Sequence, residues 1–272
     1  MSTVGAALAA ARVKLPASEA RLLLGHVLQR PAAWLLSHDD QVLDEDELLA
    51  FASLVARRAG GEPVAYLVGR REFFGREFAV SPAVLIPRPE TELLVGIALS
   101  IVGAGATARI LDLGTGSGCI AITLALEIPH AHVSAVDASA AALAVARENA
   151  ERLGAKLRLL QSHWFDQLAG DRFDQIVANP PYIAGGDPHL AAGDLRHEPV
   201  AALSSGADGL DAIREIAAAA PAHLAPGGQL WLEHGYDQAE AVRELLAVAG
   251  LSDIEQHRDL AGIVRVSGGR LK

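Results

Sequence analysis

Several things are scarce in this chain, and each scarcity excludes something. Cys119 is the only cysteine among 272 residues. No intramolecular disulfide can form, and a thiolate metal cluster is ruled out. Cys119 directly follows a glycine-rich turn and reads as a small buried residue at a helix start. The ten histidines are scattered. His130 and His132 stand two apart instead of four, so the helical zinc spacing is missing and no metal is expected. A basic stripe is also missing. Residues 1–75 hold 8 Lys/Arg against 9 Asp/Glu, and the remainder carries −9 of the total −10. Binding to nucleic acid depends on neutralising phosphates, so no direct nucleic-acid partner is expected. Arg, His, Asp or Glu interrupts every long apolar stretch, and the chain opens without a basic-then-apolar leader. Neither export nor membrane insertion is expected, and the protein is placed in the cytoplasm. There is no internal repeat and no low-complexity linker, although alanine is abundant throughout.

What is present concentrates in two places. The first is Asn179-Pro180-Pro181-Tyr182, which follows the apolar run Phe173 to Ala178. The run reads as a short buried strand that ends in a rigid turn. Pro181 fixes its own φ, and Pro180 is biased toward extended geometry by the proline after it. The Asn179 amide oxygen and the Pro180 carbonyl thus become paired acceptors without charge at a strand's carboxyl end, where α/β sheets bind ligands. Such a pair suits a planar –NH₂ group with two hydrogens to donate. Tyr182 can lay its ring on the flat face of that group. A proline-stiffened turn with an Asn cap is the plainer reading, and it explains Asn-Pro better than it explains the whole tetrapeptide.

The second place is Arg109-Ile110-Leu111-Asp112-Leu113, a strand pattern leading into Gly114-Thr115-Gly116-Ser117-Gly118 and then a helical run. Alternate glycines permit tight turning and close approach of a ligand to the backbone. After a further strand comes Asp137, 19 residues beyond Gly118 and suited to ribose hydroxyls. The spacing differs from the dinucleotide fingerprint, and no Gly-Lys-Ser/Thr follows, so a phosphate-gripping loop is not expected. Asp112 would repel a pyrophosphate and welcome a cationic adenosyl ligand.

Periodicity divides the chain near residue 75. Ala6–Ala11, Ala17–Leu28 and Asp44–Arg58 carry apolar residues at helical spacing. Leu22, Leu23, Val27 and Leu28 suit one buried face; Leu48, Leu49, Ala52 and Val55 suit another. Glu45 to Glu47 place negative charge on a first helical turn. Residues 73–80 read as a hairpin turning around Gly75-Arg76. Beyond residue 88, strands are expected at 109–113, 132–136, 156–160, 173–178, 228–233, 253–257 and 263–267, alternating with helices in a mainly parallel α/β domain. Residues 183–209 form a long Gly-, Asp- and Pro-containing segment, read as a substrate-facing flap. The expected organisation is a helical docking domain over 1–72, a hairpin linker over 73–87 and a catalytic domain over 88–272.

The two constellations resemble the class I S-adenosylmethionine-dependent methyltransferases, in the branch that carries Asn-Pro-Pro-Tyr. Gly61-Glu62-Pro63-Val64-Ala65-Tyr66-Leu67, Arg71-Glu72-Phe73-Phe74-Gly75 and the specific run Leu85-Ile86-Pro87-Arg88-Pro89-Glu90-Thr91-Glu92 narrow this further. With Glu198-Pro199, Asp208-Gly209-Leu210 and Arg258-Asp259-Leu260-Ala261-Gly262, they resemble the protein-(glutamine-N5) methyltransferases that modify peptide chain release factors. That resemblance implies a seven-stranded, mostly parallel Rossmann-like sheet whose last strand enters antiparallel, joined by a hairpin to a small N-terminal helical bundle. It implies S-adenosyl-L-methionine as donor, S-adenosyl-L-homocysteine as product, and class 1 release factors as protein substrate of a monomeric enzyme. Asn179, Pro180 and Tyr182 would be catalytic, with Pro181, Arg88 and Glu92 shaping the substrate site. Gly114, Thr115, Gly116, Ser117, Gly118, Asp137, Trp164 and Asn179 would hold the cofactor. His163 departs from the family, which usually has an acidic residue there to accept from the adenine amino group. Three other readings compete: a ribosomal-protein glutamine methyltransferase, an adenine-N6 nucleic-acid methyltransferase, and a non-catalytic adenosyl-binding adaptor. Gly227-Gly228-Gln229 spells the release-factor substrate motif, yet it reads as a turn into a strand, and self-methylation is not expected.

Overall fold

The computed structural model describes residues 2–102 and 107–272, in two compact units, Met1–Arg70 and Arg71–Lys272. The first unit is helical: α1 (Val4–Ala11), α2 (Ala17–Leu28), α3 (Ala32–Ser37), α4 (Glu45–Ala59) and α5 (Val64–Val68). Asp44 and Glu47 form a reciprocal capping box at the start of α4, so the acidic first turn does more than complement the macrodipole. The core joins Val4, Leu8, Leu23, Leu24, Leu35, Phe51 and Val55. Both expected buried faces are rotated. Leu23 and Leu24 are buried while Leu22 is 54% exposed, and Phe51 and Val55 are buried while Leu49 is 62% exposed. Three successive leucines leave the phase of a helix ambiguous, and Phe51 settles α4 because its ring buries more apolar area than a leucine does. Arg58 grips Glu19 with two hydrogen bonds, of 2.7 and 3.0 Å, tying α4 to α2.

A two-stranded sheet follows, β1 (Arg70–Phe73) with β2 (Arg76–Ala79). Its turn is Phe74-Gly75, one residue earlier than expected. Phe74 (φ 51°) and Gly75 (φ 72°) both adopt the left-handed geometry that a two-residue hairpin turn requires. Glu92 Oε1 accepts the Phe74 amide at 2.9 Å and so supports this strained position.

The second unit continues with α6 (Thr91–Val102), β3 (Arg109–Leu113), α7 (Cys119–Glu127), β4 (His132–Asp137), α8 (Ala140–Leu153), β5 (Arg158–Gln161), β6 (Phe173–Ala178), α9 (Asp211–His223), β7 (Leu224–Glu233), α10 (Ala239–Val248), β8 (Leu251–Arg258) and β9 (Val264–Leu271). Seven strands form one sheet in the order β5-β4-β3-β6-β7-β9-β8. Every pair from β5 to β7 is parallel, and β9 runs antiparallel to both its neighbours. The fold is α/β, with the seven-stranded sheet that the sequence led one to expect. β4, β5, β7, β8 and β9 have bounds that differ from expectation, and β7 begins four residues early. Gly227-Gly228-Gln229 therefore lies within a strand, where the register with β6 shifts.

Alternation along the strands builds two cores. Ile110 and Val177 face α6 and α7, whereas Leu111, Leu113, Ile176 and Ala178 face α9 and α10. Strand order reverses at β3, with β4 on one side and β6 on the other, and at such a reversal the carboxyl ends of adjacent strands open a crevice. Residues 183–209 border this crevice as a packed segment containing three short 3₁₀ turns and a bridge from Ile183 to Ser204.

Candidate active site

The glycine loop is held from several directions. The amides of Gly114 and Thr115 both donate to the Val136 carbonyl at 2.9 Å, so β4 fixes the start of the loop. Thr115 Oγ1 donates to Asp112 Oδ2 at 2.7 Å. Asp112 is completely buried beneath the loop, and burial pushes its carboxyl up to about 7. It braces the loop and does not line the crevice. Gly118 has φ 82°, and a Cβ there would lie 2.7 Å from Ile122 Cδ1, so only glycine fits where the loop enters α7. Asn149 on α8 is fully buried and secures the far side of the loop. Its Nδ2 donates to the carbonyls of Ser117 (2.9 Å) and Ala79 (3.0 Å), and its Oδ1 accepts the Ala79 amide (2.7 Å).

Asp137 ends β4 with both oxygens engaged, Oδ2 by the Gly116 amide at 2.9 Å and Oδ1 by the Ser139 amide at 2.8 Å. Each carboxylate oxygen keeps a second lone pair. Trp164 stands at φ 40°, and its ring passes 3.4 Å from where a Cβ of Gly114 would sit. Its indole N–H donates to Glu215 Oε2 on α9 at 3.1 Å. A cavity of about 460 Å³ opens between these groups.

Asn179 and Pro181 line the same cavity from the end of β6. Asn179 Nδ2 donates to Thr91 Oγ1 at 3.0 Å. Among the described residues, no protein donor reaches Asn179 Oδ1 or the Pro180 carbonyl oxygen. The backbone beyond them is clamped: the Tyr182 amide donates to the Leu203 carbonyl (3.1 Å), and Gln238 Nε2 donates to the Tyr182 carbonyl (2.9 Å). The Tyr182 hydroxyl reaches Glu233 Oε1 at 3.5 Å, and burial raises its pKa far above the ordinary tyrosine value. The result is two acceptors without charge, fixed beside a cavity of nucleoside size.

Residues 2–69 match the PrmC N-terminal domain family, and residues 91–208 match the Methyltransferase small domain family. The release factor glutamine methyltransferase of Bordetella pertussis is 57% identical over 258 residues, covering 94% of this chain and 96% of that protein. Its counterpart in Burkholderia pseudomallei is 55% identical over 264 residues, covering 94% and 93%. The chain belongs to the release factor glutamine methyltransferase family. Among solved structures, the 16S rRNA methyltransferase RsmC of T. thermophilus, in complex with AdoMet and guanosine, shares the fold. Its TM-score is 0.56 at 22% identity, over 75% of this chain and 50% of that one.

In this member of the family, Gly114, Gly116, Asp137, Trp164, Asn179 and Pro181 come together around one cavity. Thr115, Ser117 and Gly118 lie behind them as loop supports, and Pro180 and Tyr182 flank Asn179 without lining the cavity. Arg88 and Glu92 do not line it either. Arg88 pairs with Glu198, whose carboxylate is fully buried and also accepts the Ile86 amide at 2.9 Å. That contact ties the Pro-Arg-Pro run to the 183–209 segment, while Glu92 is taken up by the hairpin turn. Sequence reasoning missed Val84, Leu85, Ser139, Ala202 and Glu215 around the cavity. Ser139 was legible as the N-cap of α8, since its Oγ accepts the Ala142 amide at 3.1 Å. His163 stands beside Glu215, with Nδ1 3.4 Å from Oε1.

Proposed function

We propose that this protein methylates the side-chain amide nitrogen of the glutamine in the Gly-Gly-Gln motif of class 1 peptide chain release factors, in the cytoplasm, with S-adenosylmethionine as donor. The observation that carries this reading is the pair of uncharged acceptors without a protein donor among the described residues, Asn179 Oδ1 and the Pro180 carbonyl, at the end of β6. Cavity size, the half-buried Asp137 carboxylate, the Trp164 ring and the close approach allowed at Gly116, where a Cβ would meet nothing within 4 Å, fit the donor. Asp137 would hold the ribose hydroxyls, Gly114 to Gly118 the methionine and ribose portions, and Trp164 the adenine. When bound, S-adenosylmethionine supplies a methyl carbon on a positively charged sulfur, which keeps the C–S bonding pair and leaves as the thioether S-adenosylhomocysteine.

The chain's own residues must overcome the poor nucleophilicity of an amide, whose nitrogen lone pair is delocalised into its carbonyl. Asn179 Oδ1 and the Pro180 carbonyl accept the two amide hydrogens, which localises the lone pair and aims it into the cavity. Tyr182 packs against the amide plane. The nitrogen gains the methyl carbon and loses one proton to water, so no protein base is required. Orientation is the principal contribution, with an upper end of ~7–11 kcal/mol for well-aligned groups. Arg88 acts at one remove, by holding the 183–209 segment through Glu198. Helices α1 to α5 would choose the protein partner, and the enzyme would act as a monomer.

A decisive assay incubates the protein with labelled donor and, separately, a class 1 release factor, ribosomal proteins and adenine-containing DNA and RNA. Mass spectrometry is expected to place the label on the Gly-Gly-Gln glutamine of the release factor. Label on a ribosomal protein or on adenine alone would replace this reading.

A further inference from the structure

Asp208-Gly209-Leu210 lies outside the cavity, yet it closes the 183–209 segment directly against Tyr182. Gly209 has φ 79°, and a Cβ there would overlap the Tyr182 carbonyl oxygen and stand 2.8 Å from Gln238 Nε2. Only glycine combines that backbone geometry with so close an approach. Asp208 folds the turn over it: its Oδ1 accepts the Leu210 amide at 3.1 Å and Arg214 Nη1 at 2.9 Å. Leu210 is buried in the core against which Tyr182 packs.

Gln238 meets the same carbonyl. It is 8% exposed and directly precedes α10, where a short polar side chain ordinarily caps the helix's own amides. Its side chain makes no such cap. Nε2 donates instead to the Tyr182 carbonyl at 2.9 Å and to the Asp208 carbonyl at 3.3 Å. Oε1 accepts the Gly235 amide at 2.8 Å. These partners fix which end of the amide points where, because a backbone N–H can only donate and a carbonyl can only accept. The Tyr182 amide donates to the Leu203 carbonyl at 3.1 Å, and the Ile183 amide reaches the same oxygen at 2.9 Å. The peptide planes before and after Tyr182 are therefore both pinned, which sets the direction of its Cα–Cβ bond. The hydroxyl adds little, at 3.5 Å from Glu233 Oε1. The aim of the ring comes from the backbone.

We infer that Gln238 and Gly209 are positioning residues for methyl transfer: from outside the cavity they seat the Tyr182 carbonyl and so aim the Tyr182 ring at the substrate amide. The inference rests on the glutamine-methylation reading, which gives the ring its task, and deepens it. Neither residue lines the cavity, so donor binding does not depend on them.

The test compares wild type with Gln238→Met, Gly209→Ala and a control, Gln256→Met. Gln256 also bonds the start of α10, through Nε2 to the Ala239 carbonyl at 2.7 Å, but its partners do not include Tyr182. Each protein is measured for kcat and KM on the release factor, for donor affinity by calorimetry, and for the ring resonances of ¹³C-labelled tyrosine. The chain has three tyrosines, so Tyr182→Phe assigns the Tyr182 signal. Gln238→Met and Gly209→Ala are each expected to lower kcat about 10²-fold, as small misplacements of a positioned group do. KM and donor affinity should stay near wild type, and the Tyr182 signal should move. Gln256→Met should leave kcat and that signal unchanged. Wild-type kcat in a folded Gln238→Met protein, a lowered kcat with an unmoved Tyr182 signal, or an equal loss in Gln256→Met overturns the inference. In wild type, the amides of Tyr182, Ile183 and Gly235 should resist hydrogen exchange. Free exchange at these amides overturns it too, and that measurement stands even where the variants fail to fold. If the wild-type protein leaves the release factor unmethylated, the glutamine reading fails, while the Tyr182 signal and the amide exchange still decide whether Gln238 and Gly209 seat Tyr182.

Discussion

At the scale of single residues, Asp137 carries a structural duty beside the ribose contact proposed for it, and a substitution cannot separate the two. Its carboxylate holds the Gly116 and Ser139 amides while keeping lone pairs for a ligand. Asp137→Ala is expected to weaken S-adenosylmethionine binding by roughly 1.5–3 kcal/mol, the range for hydrogen bonds to a charged group. Calorimetry giving an unchanged affinity would remove Asp137 from the site. This residue was legible in advance because its position follows from strand, turn and spacing alone. Asp112 was not. It stands one residue before the end of β3, and alternation decides whether such a carboxylate faces the ligand or the loop's underside. Its 2.7 Å contact with Thr115 and its complete burial settle the question in favour of the underside. The partner of Arg88 was illegible for a related reason: Glu198 lies 110 positions away, beyond the reach of any local pattern.

At the scale of elements, long periodic segments could be read and short or long-range features could not. α2 matches its expected bounds, and β3 and β6 do as well, because apolar periodicity persists across each of them. α3 and α5, with six and five residues, are too short for a period to show. The hairpin turn was misplaced because positive φ is expected at glycine, and here Phe74 shares that geometry. Asn149 is the feature that no local reading supplies, since it links β2, the glycine loop and α8 across 70 residues. Asn149→Ala leaves the part-buried Ala79 groups and the buried Ser117 carbonyl without partners, at a cost of up to ~1–3 kcal/mol for a buried group. Urea unfolding is expected to show that loss, accompanied by weaker donor binding because the Ser117 carbonyl is released. A variant as stable as wild type would mean that the Asn149 bonds do not hold the loop.

At the scale of the whole molecule, the chain divides into two compact units. Met1–Arg70 has its own core and its own ion pairs, whereas every residue around the cavity belongs to Arg71–Lys272. Deleting the first unit is expected to leave donor affinity largely intact while methylation of an intact release factor collapses. Full activity from a folded truncation would refute a docking role. Chemistry itself is tested most directly at Asn179, in a single-turnover measurement with saturating donor. Asn179→Ala removes one of the two acceptors and is expected to slow methyl transfer ~10²–10³-fold, as for the loss of one preorganised polar contact, with donor affinity unchanged. Tyr182→Phe is expected to be mild, since the ring packs and the hydroxyl only reaches Glu233. A fully active Asn179→Ala enzyme, or an inactive Tyr182→Phe enzyme that folds and binds both ligands, would contradict the paired-acceptor mechanism.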